Sequence, residues 1–168
     1  MNAKLIVEGK EFDIEILDPE LQKLVNPPNV KQTGYEEQVG EYYYYIESNG
    51  DVAREHHNSE FDDGCYKVAN YHSDETIAKN NARADTLLRQ LRRYAAVHND
   101  KKVDWLDETK SKWMIGYNYF TGELETIYDT YLRCFGSIYF TSAAKCKTAI
   151  ELFRPELIWY FTEYKDTL

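Results

Sequence analysis

The sequence predicts an α+β fold, with antiparallel sheets and packed helices arranged as an internal duplication of a ββ(β)α unit. Three observations carry this reading. Short runs alternate apolar and polar residues at strand period, as in Phe12–Ile16, or concentrate tyrosine and isoleucine, as in Glu41–Glu47. One long segment repeats apolar residues at helical spacing. The order of aromatic strand, glycine turn, return strand, further strand and Ser/Thr-capped helix occurs twice. Two such units can share a sheet or pack back to back, each helix covering its own sheet.

Leu5–Val7 and Phe12–Ile16 flank Glu8-Gly9-Lys10-Glu11 and read as a hairpin. Asp18-Pro19 opens a short helix through Val25, because aspartate caps well and proline suits the first helical position. Asn26-Pro27-Pro28-Asn29 ends it, and Val30–Gly40 reads as an exposed connector. Glu41–Glu47 is the clearest strand; Asn49-Gly50 is a strong hairpin signal, with Val52–Glu55 returning. His56–Gly64 reads as a polar, acidic loop and Tyr66–Tyr71 as another strand. Ser73 caps a helix of about 24 residues, or about 36 Å, ended by Asn99-Asp100. Its stripe is Ile77, Ala84, Leu88, Leu91 and Ala95, widened by Leu87 and Tyr94. After a charged linker (Lys101–Lys110), strands follow at Lys112–Tyr119, Glu123–Phe135 and Ser137–Phe140, with a turn at Thr121-Gly122. Thr141 or Ser142 caps a helix to Phe153, and Pro155 starts a last one over Glu156–Tyr164.

The duplication aligns Tyr43–Gly50 with Met114–Gly122, and Tyr71-His72-Ser73 with Tyr139-Phe140-Thr141 at an offset of 68, placing Ala78 opposite Cys146. The expected segments are 1–40 (hairpin and connector), 41–100 (first unit) and 101–168 (second unit with the C-terminal helix), in one compact domain.

The chain has 168 residues and a formal charge of −9. At this length a core forms without disulfide or metal. Its 25 aromatic residues rule out disorder of the whole chain. No apolar run approaches a membrane span, and Met1–Ile16 lacks a signal-peptide layout, so a cytoplasmic location is expected. Cys65, Cys134 and Cys146 are odd in number and form no C-x-x-C, as in a protein with reduced thiols. Acidic neighbours disfavour a reactive thiol at Cys65. The charge is uneven. Residues 1–63 hold 15 acids and 5 bases, and residues 64–168 hold 14 acids and 15 bases. Between Lys79 and His98 five bases face one acid.

No catalytic constellation emerges. G-x-S-x-G, G-x-G-x-x-G and P-loop patterns are absent. Arg54–Cys65 contains every kind of metal ligand but not H-E-x-x-H or Cys/His pair spacing, and adjacent histidines on an extended chain point to opposite faces. A surface loop is the expectation there, with no metal and no cofactor; Glu60, Asp62 and Asp63 are the acidic candidates for partner binding. The basic candidates are Arg83, Arg89, Arg92 and Arg93, on one helix, where arginine favours bidentate contacts to phosphate or to an acidic partner; Asp85 can pair with Arg89. Fifteen tyrosines suit both structural filling and a protein-binding surface.

The runs Asn70–Ala78, Asn80–Asp85 and Arg89–Ala95, with the ending Glu156–Asp166 and the opening Val7–Phe12, resemble a small protein family common in phages and prophages of Gram-positive gut bacteria. Some phage proteins of this general type are similar to inhibitors of type II-A CRISPR systems, which block Cas9. The resemblance implies a non-enzymatic anti-defence role in the host cytoplasm, through binding of a bacterial defence protein such as Cas9 with its guide RNA. Cas9 holds nucleic acid in positively charged channels, where an acidic N-terminal third could dock. The alternative is an accessory protein that binds DNA or RNA through the arginine helix. A metal-dependent nuclease or hydrolase using the His56–Cys65 loop is a weaker third class.

Overall fold

The computed structural model describes the backbone of residues 2–7 and 10–15 and, with side chains, residues 32–167. The expected helix from Asp18 to Val25 lies outside the described residues. The chain divides into two units, residues 1–33 and 34–168.

In the first unit, β1 (Asn2–Val7) pairs antiparallel with β2 (Lys10–Glu15), Leu5 opposite Phe12 and Val7 opposite Lys10. The expected hairpin is present, with both strands extended from the expected bounds.

The second unit is an α+β arrangement of two separate two-stranded antiparallel sheets and three helices. β3 (Tyr42–Ile46) pairs with β4 (Val52–His56), and β5 (Lys112–Asn118) pairs with β6 (Glu123–Asp129). Gly50 and Gly122 sit in the two hairpin turns with φ of +95° and +74°, a region that costs glycine nothing. The helices are α1 (Glu60–Lys67), α2 (Glu75–His98) and α3 (Ala143–Thr162). α2 packs on β3 and β4, α3 packs on β5 and β6, and the two helices pack on each other. The larger core is Leu87, Leu91 and Ala95 of α2 against Phe140 and against Cys146, Ala149 and Leu157 of α3. A smaller core joins Tyr43, Cys65 and Tyr71.

Each hairpin carries one further backbone bridge. Tyr44 and His72 exchange two N–H···O bonds of 2.8 Å, and Trp113 and Phe140 exchange bonds of 3.0 and 2.7 Å. The later residue of each bridge, His72 or Phe140, stands two positions before a helix cap, Asp74 or Ser142, whose side chain accepts an N–H from Ile77 or Lys145.

Several expectations need correcting. His56–Gly64 is not all loop, and Tyr66–Tyr71 is not a strand: α1 begins after Ser59. Asp62, third in that helix, reaches back to the Ser59 N–H at 2.8 Å, half of a capping box. The helix ends because Ala69 adopts φ +57°, and the N–H of Asn70 then bonds the Cys65 carbonyl at 3.0 Å. Alanine is strained there, so Ala69→Gly should raise stability by about 0.5–1 kcal/mol, read as a higher urea midpoint. The cap of α2 is Asp74; Ser73 instead donates its hydroxyl to Glu36 at 2.5 Å. The strand from Glu123 stops at Asp129, and Ser137–Phe140 contributes only the bridge at Phe140.

The last two expected helices are one, with Pro155 inside it. Proline removes the N–H that would reach the Glu151 carbonyl. The helix continues because its core positions, Cys146, Ala149, Ile150, Phe153 and Leu157, keep one phase across the proline. Pro155 is exposed, so Pro155→Ala restores the missing bond without repacking. It should stabilise the fold by about 1–3 kcal/mol, seen as a rise in thermal midpoint.

The Val30–Gly40 connector is not uniformly exposed. Gly34 is buried at φ +90°, and a Cβ there would lie 2.8 Å from Ile77 Cγ1. Its carbonyl accepts the Ser73 N–H at 2.8 Å, which ties the connector to the start of α2.

Candidate functional site

The three acidic candidates separate. Glu60 is exposed, Asp63 is half-exposed, and Asp62 is 1% exposed. Asp62 therefore leaves the set of surface contacts. Its carboxylate accepts from the Tyr43 hydroxyl at 2.6 Å, the Asn58 N–H at 2.9 Å, and the Ser59 N–H and hydroxyl at 2.8 and 2.7 Å. Burial alone would raise the Asp62 carboxyl. The four donors outweigh that and hold it well below the usual carboxylate range.

Around Asp62 lies a cluster of rings. Tyr43 stacks on Tyr71 with centroids 4.0 Å apart and planes 5° apart. His57, 5% exposed, places Nδ1 3.1 Å from the Tyr71 hydroxyl and Nε2 3.1 Å from Asp63 Oδ1. Burial pushes both tyrosine hydroxyls up, so both are neutral donors at physiological pH. Burial also raises the Cys65 thiol, and the charge of Asp62 adds to it, which makes this a structural cysteine. Burial pushes the Cys146 thiol up to about 12. All three cysteines are free thiols.

The four arginines also separate. Arg83 is bound to Glu156 through two contacts of 2.7 and 3.1 Å and lies 4.0 Å over the Trp159 ring. It joins α2 to α3. Arg89 pairs with Asp85 at 3.7 Å. Arg92 and Arg93 are exposed, and among the described residues neither has an ion pair. The stripe available to a partner is therefore led by these two.

Arg92 borders a groove of about 450 Å³ that sequence reasoning missed. Leu88, Leu91, Ile115, Leu157 and Phe161 line it, and Phe135, fully exposed, stands at its rim. The groove lies between β5, helices α2 and α3, and the Gly136–Ile138 segment that leads to the Phe140 bridge. Trp113 turns its N–H and carbonyl away from β6 to meet Phe140, so Ile115 and Tyr117, two and four positions on, turn theirs the same way. Among the described residues no partner bonds the backbone of Ile115 or Tyr117 on that side. The corresponding edge of β3 is closed: the Asn70 amide takes the Ile46 N–H at 2.8 Å and donates to the Ile46 carbonyl at 2.9 Å. Further exposed apolar residues follow in the same half, among them Tyr119, Phe120, Tyr131 and Leu132.

No family model, curated protein or solved structure matches the chain. Among the described residues no helix is long and apolar enough to cross a membrane.

Proposed function

We propose that the chain acts by binding a partner protein rather than by catalysis, with the groove beside β5 as the docking face. The observation that carries this is the coincidence of an open strand edge, an apolar floor and Arg92 at the rim. An extended segment added to β5 gains main-chain bonds from Ile115 and Tyr117, seats apolar side chains on Leu88, Leu91 and Leu157, and meets Arg92 with a carboxylate. The sequence resemblance supports a phage anti-defence role and makes Cas9 the first partner to test. The protein is titrated into a Cas9 cleavage reaction with several orthologues. Inhibition that is lost in Arg92→Glu and in Phe135→Asp supports the reading. Both positions are exposed, so both variants keep the fold. Full cleavage at large molar excess removes Cas9 as the partner, and pull-down from a host lysate with the same two variants then tests the groove itself.

The unpaired Arg92 and Arg93 favour one second reading, binding of DNA or RNA. A retardation assay at two salt concentrations separates it: phosphate binding weakens steeply with salt and is lost when both arginines become alanine.

The finer architecture is read as an internal duplication of a ββ(β)α unit. It is supported by the two hairpin-bridge-helix arrangements, by the 68-residue offset of His72 and Asp74 from Phe140 and Ser142, and by Ala78 and Cys146, both fully buried. The bridges align Tyr44 with Trp113, whereas the sequence pattern pairs Tyr43 with Met114.

A further inference from the structure

We propose that Glu37, His57 and Asp63 form a binding site for a divalent transition-metal ion, with zinc as the best fit. The three residues come from separate places: the connector before β3, the residue after β4, and the first turn of α1. One ligand atom from each lies within 4.8 Å of the others.

The imidazole is already set in place. His57 is 5% exposed, and its Nδ1 meets the hydroxyl of Tyr71, itself 1% exposed. That hydroxyl accepts the Gln38 N–H at 2.8 Å, and the Tyr71 ring is stacked on Tyr43. Metal-bound histidines have their second nitrogen held in this way, which fixes ring orientation and tautomer. A hydroxyl both donates and accepts. It can therefore donate to bare Nδ1 when Nε2–H faces Asp63, and accept from Nδ1–H when Nε2 is bare for a metal.

The other end of the ring faces negative charge. Nε2 is 3.1 Å from Asp63 Oδ1, and the Glu37 carboxylate converges on the same point. Among the described residues no lysine or arginine pairs with either carboxylate. Two carboxylates beside one imidazole repel each other, and a cation between them removes that repulsion. In a tetrahedral zinc site with bonds of about 2.1 Å, ligand atoms stand about 3.4 Å apart. The His57–Asp63 pair is already near this spacing, and the exposed Glu37 side chain has the freedom to close the rest.

One nitrogen and two carboxylate oxygens suit zinc before magnesium or calcium, and no thiolate is present to favour copper(I). Three protein ligands leave at least one position for water or for a partner's own ligand atom. A bound ion would pin the connector, the end of β4 and α1 to one another.

The test is titration of zinc chloride into the chelator-stripped full chain, by calorimetry and by thermal melting, on wild type, Glu37→Gln and Asp63→Asn. Among the described residues Glu37 makes no hydrogen bond, so Glu37→Gln leaves the metal-free fold unchanged and isolates the ligand. The expected result is one zinc per chain, a thermal midpoint that rises with zinc excess, and binding weakened on the order of tenfold or more in each variant. No binding tighter than about 100 µM, or equal binding in wild type and both variants, overturns the assignment.

Discussion

Replacing Asp62 by alanine costs about 3–4 kcal/mol of folding stability, because it leaves buried donors without an acceptor where a charged one stood. That is a large share of a total of about 5–15 kcal/mol. The donors are the Tyr43 hydroxyl, two backbone N–H groups and the Ser59 hydroxyl, and the carboxylate they meet is 1% exposed. Asp62→Asn keeps one carbonyl oxygen for the three Asn58 and Ser59 donors and turns its amide toward the Tyr43 oxygen. It costs less, about 1–2 kcal/mol. The acid response distinguishes the two states of this carboxyl. Folding holds its pKa below the unfolded value, so its contribution is complete above about pH 4 and is lost as pH falls toward the folded pKa. Urea midpoints of wild type measured from pH 6 down to pH 3 should fall more steeply than those of Asp62→Asn. Parallel slopes would mean that Asp62 is not ionised in the fold.

Phe140→Ala is the second large effect, at about 3–5 kcal/mol. Phe140 has no exposed surface and packs among Leu87, Leu91, Cys146, Ala149 and Leu157, with the Tyr94 ring 6.1 Å away. Its backbone bridge to Trp113 does not depend on the side chain. The substitution therefore measures packing alone. Phe140→Leu, which keeps most of the volume, should cost less than about 1.5 kcal/mol. Both variants should lower the urea midpoint of a single transition without changing its slope. α2 packs against the β3–β4 hairpin on one side and α3 on the other, so damage to the larger core is felt in both halves.

What could be read from the sequence follows the range of the interactions. The hairpins at Asn49-Gly50 and Gly122, and the 24 residues of α2, rest on local period and turn chemistry, and all three are present. α1 was missed because Gly64 and four acidic side chains between Glu55 and Asp63 read as loop; the signal present was Ser59 followed by Asp62. Tyr66–Tyr71 has strand composition, but Ala69 turns left-handed and breaks the run. Pro155 read as a start because local rules place it there, whereas the core stripe continued through it. The arginines show the same limit. Arg83 is held by Glu156, 73 residues on, and nothing local separates it from Arg92. Glu37, 20 residues before His57, comes within 4.8 Å of it only in the folded chain.

The Asn70 amide that closes the edge of β3 has no counterpart on β5, where the position 68 residues later is Ile138. An open edge is a template for any extended chain, including another copy of this protein. The segment along that edge, Trp113-Met114-Ile115-Gly116-Tyr117, carries no charge and has strand-forming side chains, the composition that stacks into fibrils. The two halves therefore differ in colloidal behaviour: among the described residues, one half seals its strand with a single amide, and the other leaves an uncharged strand without such a seal, the more prone of the two to aggregate on heating.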